Sequence, residues 1–263
     1  MINLTVVKET IHENLTQPFF LFAALIELTA VFLFSFGIEL RYENEVLTGL
    51  GFFGRMIEDQ VYIMSREFLR SFSGILVYFL MFLFIIGGSA THLGMLQSPL
   101  TAVILTKPVS RSVLFLSKFL GLWILVTVLV LAFSVILWCI AFYKSSGNMP
   151  TEVLLAPLSF SLEFGVIFAF SAFTAMLVEN QTGVSILSLI VYFYVGRMAG
   201  NFTLPPVVHT LSLLLPPTGA MNFVTLGSIL SGGVDFSVFL RGLPYVIISL
   251  GAGVYLFHRK DLR

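Results

Sequence analysis

The residues able to do chemistry are few and scattered. Two carboxylates, Glu27 and Glu163, stand inside long apolar runs. A charge in hydrocarbon costs about 2.5–3.5 kcal/mol on insertion scales, so such a residue faces a bundle interior or water. For Glu27 the alternative is a protonated or hydrogen-bonded helix contact. Glu163 lies nearer the end of its run and reads as structural. His12, His92, His209 and His258 have no metal-ligand spacing. The single cysteine, Cys139, has no intrachain partner and reads as a small lipid- or helix-facing residue. No G-x-x-x-x-G-K-[ST] phosphate loop, H-E-x-x-H or G-x-S-x-G occurs. The chain is therefore expected not to be an enzyme, and it cannot hydrolyse ATP in the usual way. Asn14-Leu15-Thr16 and the other sequons read as chance.

One block of basic residues is organised. Leu96 to Thr106 reads as a short, mostly apolar helix, with Leu100, Val103 and Ile104 in one stripe. It stops at Lys107, because a residue before proline is pushed out of the α region and Pro108 follows. Ser110 can cap the next helix. Arg111 and Lys118 are seven apart, on one face, within reach of phosphates or an acidic partner. An ordinary basic turn is the plainer alternative.

The elements that must position these groups are membrane helices. Of the 263 residues 57% are hydrophobic and 11% charged, against about 25% charged in a soluble domain. The 14 basic and 14 acidic residues balance, so nothing points to nucleic acid. The fold class expected is an all-α integral membrane protein with six transmembrane helices. Apolar runs near the crossing length place them at Phe19–Ile38, Phe72–Ala90, Phe119–Tyr143, Leu158–Val178, Gly183–Gly200 and Leu243–Phe257. Arg197 interrupts the fifth and snorkels.

Residues 1–17 read as an interfacial amphipathic helix, with Ile2, Val6, Val7, Ile11 and Leu15 on its apolar face. Lys8 is offset by Glu9 and Glu13 and no small-x-small site follows, so no cleavable signal is expected. Glu39–Arg70 is a charged stretch whose second half reads as a surface helix. Residues 201–242 are broken by Pro205-Pro206, Pro216-Pro217 and Gly232-Gly233, and read as short surface or re-entrant helices. One domain, 1–263, accounts for the chain. Six spans put both termini on one side. Cations divide seven to seven between the sides, but the 92–118 loop and the tail are the densest, which favours termini inside.

Leu105-Thr106-Lys107-Pro108-Val109-Ser110-Arg111 followed by Lys118-Phe119-Leu120-Gly121 resembles the L-x-K-P-[IV]-S-R … K-[YF]-L-G signature of ABC-2 type permeases. The resemblance extends to Lys8-Glu9-Thr10 through Pro18-Phe19, which is similar to that family's elbow helix, and to the basic end Arg259-Lys260-Asp261-Leu262. Gln97-Ser98-Pro99-Leu100-Thr101 departs from it, since many members carry an acidic residue and a Gly-Thr pair there.

The resemblance implies the permease subunit of an ABC transporter, most members of which export. It implies a multi-pass protein of the plasma (inner) membrane with cytoplasmic termini. The partners implied are a separate ATP-binding subunit, a second permease copy or paralogue, and membrane lipids. No cofactor is expected in this chain, with ATP and Mg on the partner ATPase. Residues 92–112 become the coupling loop to the ATPase, with Leu96, Leu100, Val103 and Ile104 as its apolar contacts and Lys107, Arg111 and Lys118 at its rim. Glu27 becomes a residue of the pathway or subunit interface. Gly37, Gly87, Gly88, Ser89 and Ala90 allow close helix approach, between subunits or within one. The rival reading is an ATP-independent channel, secondary transporter or membrane scaffold; no inverted repeat between the halves favours a transporter of that kind.

Overall fold

The computed structural model describes residues 2–43, 46–57, 79–96, 109–144, 156–195 and 237–260. The helices are α1 (Leu4–Leu15), α2 (Pro18–Phe36), α3 (Phe79–Leu96), α4 (Arg111–Lys144), α5 (Ala156–Val178), α6 (Gln181–Ile190) and α7 (Ser237–Arg259). Among the described residues, four helices are long and apolar enough to cross a membrane: Pro18–Phe36, Phe79–Leu96, Arg111–Lys144 and Phe160–Val178. The chain is thus a mainly helical membrane protein.

Of the later helices, the fifth expected span is described as far as Val195 and its end, 196–200, lies outside the described residues. α6 is an apolar helix of 10 residues that continues as a π turn, Val191–Val195. α7 has 23 residues, about 35 Å of helix, and starts before the expected Leu243, with Pro244 inside it. The second half of the 39–70 stretch, expected as a surface helix, lies outside the described residues from 58 on, as do Arg197 and the Pro-rich segment as far as 236.

An all-α fold needs one correction. After α2 the chain forms a three-stranded antiparallel sheet, β1 (Ile38–Glu43), β2 (Val46–Phe52) and β3 (Arg55–Ile57), in that order. Ile38-Glu39-Leu40-Arg41-Tyr42-Glu43 alternates apolar and charged residues with period two, which suits a half-covered strand. Phe52 pairs with Arg55 across a two-residue turn, Phe53 at φ 48° and Gly54 at φ 78°. Two positive φ values in a two-residue hairpin match the right-handed strand twist. The Phe53 N–H donates to Gly37 O at 2.8 Å, folding the sheet back onto the end of α2. Lys144, the last residue of α4, donates to Phe34 O at 2.9 Å and to Ile38 O. A lysine on the last carbonyls of a helix is a favourable stop.

α5 is the axis of the bundle. Glu163–Ala169, Ser171, Ala172 and Thr174–Met176 are all buried, so the helix is covered around its circumference. α3 meets it through Phe84 and Phe164, edge to face at 5.4 Å. α4 meets it through Trp123, whose Nε1 donates to Ser161 O at 2.7 Å. α7 meets it where Tyr245 and Val246 pack on Val166. α2 joins at the rim through Phe20 on Phe84, 5.6 Å apart. Its other face, with Leu21, Phe22, Leu25, Leu28, Phe32 and Phe36, is exposed and apolar, as lipid contact requires.

Ends at one face of the bundle, here the proximal face, are tied together. There α1 lies across the start of α4. Asn3 caps α1, its Oδ1 accepting from Thr5 N and Val6 N, while Asn3 N donates to Ser117 Oγ at 2.9 Å. The covered face of α1 is Val6, Val7, Thr10 and Asn14, a rotation from the expected apolar face, since Ile2 and Leu15 are exposed. Thr10 and Asn14 go inward because their polar atoms bond carbonyls of their own helix, at Val6 O and Thr10 O. The crossing needs a glycine: a Cβ on Gly121 would lie 2.8 Å from Thr10 Cβ and 3.0 Å from Val7 O. Gly121→Val should lift α1 and cost about 1–3 kcal/mol as overpacking does. A thermal scan in detergent checks it, and an unchanged midpoint would contradict the crossing.

Candidate functional site

The basic block opens α4 and is used within the chain. Ser110 Oγ accepts from Val113 N at 3.3 Å, the expected cap. Arg111 Nη1 donates to three carbonyls at the end of α7: Phe257 at 3.3 Å, His258 at 3.2 Å and Lys260 at 2.6 Å. Those carbonyls have no partner inside a helix that is ending, so a guanidinium suits them in charge and geometry. Beside them Ser112 Oγ and His258 Nε2 are 2.8 Å apart, and Phe115 packs on Phe257. Lys260 pairs with Glu179 at the end of α5. Lys118, 7% exposed, meets Glu13 of α1 at 3.0 Å. The signature residues thus bind first and last helices to α4: Arg111 holds α7, while Lys118 and Gly121 hold α1.

Of the residues expected at the contact surface and its rim, Leu96, Arg111 and Lys118 are described. Leu96 is a core side chain, 8% exposed, packed in a cluster with Met95, Leu114 and Phe115. Arg111 and Lys118, expected on a rim facing a partner, turn inward to Phe257 and Glu13. Leu100, Val103, Ile104 and Lys107 lie outside the described residues. The small residues also serve this chain: Gly87 receives Phe20, and Gly88 receives Leu122 and Phe168.

A second group of polar residues is sealed in the interior. Glu27 lies on the inner stripe of α2 with Phe20, Ala23, Ala30 and Phe34, and its Oε1 has no partner. It faces this chain's own bundle. Glu163 is 0% exposed with neither oxygen bonded, and His92 is 0% exposed with neither ring nitrogen bonded. Between them in depth, Ser89 and Ser171 share a hydrogen bond at 3.2 Å. Nearer the proximal face, Thr91 bonds Asn14, and Gln17 reaches Thr91 at 3.5 Å. The buried hydroxyls of Ser185 and Ser188 on α6 are also unpartnered.

Unpaired buried polar groups are costly, so each one needs a reason. Sequence reasoning passed over His92, Ser185 and Ser188, and took Glu163 for structure. A signal existed for the serines: Ser185, Ser188 and Tyr192 recur at i, i+3 and i+7 in an otherwise apolar helix. His92 gave none, since its depth depends on α3 packing. Among the described residues no His, Cys, Asp or Glu group could hold a metal ion. No family model matches the chain, and no curated protein matches it.

Proposed function

We propose that the chain is the permease subunit of an ABC-2 type exporter, crossing the inner (plasma) membrane six times with both termini in the cytoplasm. It works with a separate ATPase, which binds ATP and Mg, and with a second permease copy or paralogue. The observation that supports this reading is the use made of the Lys-Pro-Val-Ser-Arg … Lys-Phe-Leu-Gly block. Arg111 holds the end of α7, and Lys118 and Gly121 hold α1. A push delivered at the start of α4 therefore reaches the first and last helices together, as an ATP-driven permease needs.

In this reading Leu100, Val103 and Ile104 form the apolar stripe that docks in a groove of the ATPase, with Lys107 beside it. Ile104→Asp should release the ATPase from the purified complex and leave the permease in the membrane, because an unpaired buried charge costs several kcal/mol. An ATPase that stays bound, with transport intact, would overturn the assignment. The sealed carboxylate and imidazole of Glu163 and His92 favour a second reading, an ATP-independent secondary transporter. Transport by the chain reconstituted alone would decide for it.

A further inference from the structure

The hairpin of α5 and α6 carries buried polar groups that ATP-driven coupling does not use. The two helices reverse at Glu179, at φ 52°, and Asn180 caps α6 by accepting from Thr182 N and Gly183 N. Residues equally far from this turn lie at about equal depth. Ser188 comes level with Ser171, Tyr192 with Ile167, and the last residues of the π turn with Glu163 and Phe164.

Ser185 and Ser188 of α6 and Tyr192 of its π turn form one stripe, exposed by 7%, 0% and 1%. The stripe starts near the proximal face, where Gln181 and Thr182 are exposed. It descends in axial steps of about 4.5 and 6 Å to the π turn at the depth of Glu163. Single waters can bridge steps of that size between polar groups. A π turn is rare and is frequently found at functional sites. Glu163 thus lies level with the deep end of this stripe, and the Ser185 and Ser188 hydroxyls and both Glu163 oxygens have no partner.

We infer that this seam is a proton path, leading from the proximal face along Ser185, Ser188 and Tyr192 to Glu163, which binds the proton. The seam selects for a cation: its deepest group is a carboxylate, and α6 with its π turn carries no Lys or Arg. It selects against a metal ion. A metal ion needs several oxygens converging within about 2.0–2.6 Å, and these oxygens are strung out in depth. The step is a proton transfer alone. The last water of the relay gives a proton to a Glu163 carboxylate oxygen as it receives one from the group before it. At each link one O–H bond breaks as another forms, the proton is replaced from the proximal face, and the reverse relay restores the carboxylate. Besides Tyr192 and Glu163, the titratable groups facing inward on the surrounding elements are Glu27 on α2, His92 on α3, Lys118 on α4 and Tyr245 on α7.

The test uses the full chain in lipid nanodiscs, without an ATPase, so it stands or falls apart from the permease reading. Infrared difference spectra are recorded on stepping pH at fixed sodium, on stepping sodium at fixed pH, and on exchange into heavy water. A protonated-carboxyl band should respond to pH and heavy water. Glu163→Gln should abolish it, Glu163→Asp should shift it, and Glu27→Gln should leave it. Ser188→Val keeps Glu163 in place and should slow exchange of that band about tenfold, roughly the loss of one hydrogen-bonded step. Overturning results are a band insensitive to Glu163→Gln, an exchange rate unchanged in Ser188→Val, or a band that sodium removes at fixed pH.

Discussion

Arg111→Gln should free the C-terminal end of α7 from α4. The guanidinium reaches the Phe257, His258 and Lys260 carbonyls through a single nitrogen. Hydrogen bonds to a charged group are worth about 1.5–3 kcal/mol each, but three sharing one donor do not add, so about 2–3 kcal/mol is expected for the set. Phe115 on Phe257 survives the change, so the loss is local to the last turn. Trypsin cleavage after Arg259 and Lys260 should accelerate in detergent while the rest of the chain stays protected. Arg111→Lys should recover only part of the protection, since the shorter lysine side chain stops short of the position of Nη1, the nitrogen that meets all three carbonyls. An unchanged cleavage rate in Arg111→Gln would show that the end of α7 is held by other contacts.

The largest stability effect is expected from Phe168→Ala. Phe168 is fully buried on the central helix, fills the space left by Gly88, stacks on Phe164 at 5.8 Å and meets the His92 ring edge to face at 6.5 Å. Removing a buried aromatic ring costs about 3–5 kcal/mol, the spread reflecting how far the walls collapse. Inside a bilayer that loss is one of packing contacts, because lipid is as apolar as the core. Leu28→Ala, at a site 66% exposed, should stay within about 0.5 kcal/mol. Unfolding of both variants by denaturing detergent checks the contrast. Comparable midpoints would mean that α5 is not the packing centre.

The spans most legible in the sequence were those whose signal is length and hydropathy. Pro18 and the uncharged run after it mark α2 because proline suits the first helical turn. Ser110 marked the start of α4 through its hydroxyl, and that cap is formed. The sheet was missed because the charges of Ile38–Glu43 drew attention to composition, although their alternation carried the strand signal. The inward turn of Arg111 and Lys118 was not legible at all. Both look like solvent-facing cations locally, and their partners, Phe257 and Glu13, lie 146 and 105 residues away in the chain. The rotation of α1 was hidden for a related reason, since Thr10 and Asn14 become tolerable inside only once their helix supplies the acceptors.

The length of α4 has a consequence for how this bundle sits in its bilayer. The charge-free run Phe119–Tyr143 is about 38 Å of helix, against a hydrocarbon thickness of about 30 Å. Lys118 stands at one end of the run and Lys144 at the other. The excess lets α4 lean by up to about 35° with both lysines still at headgroup level, inside the observed range of helix tilts. A steeper lean draws an ammonium into hydrocarbon, at about 2.5–3.5 kcal/mol. α4 therefore carries its own angular stop. Lys118 holds α1 through Glu13, and Lys144 holds the end of α2 and the sheet, so a rocking of this helix swings both flanks together within that arc.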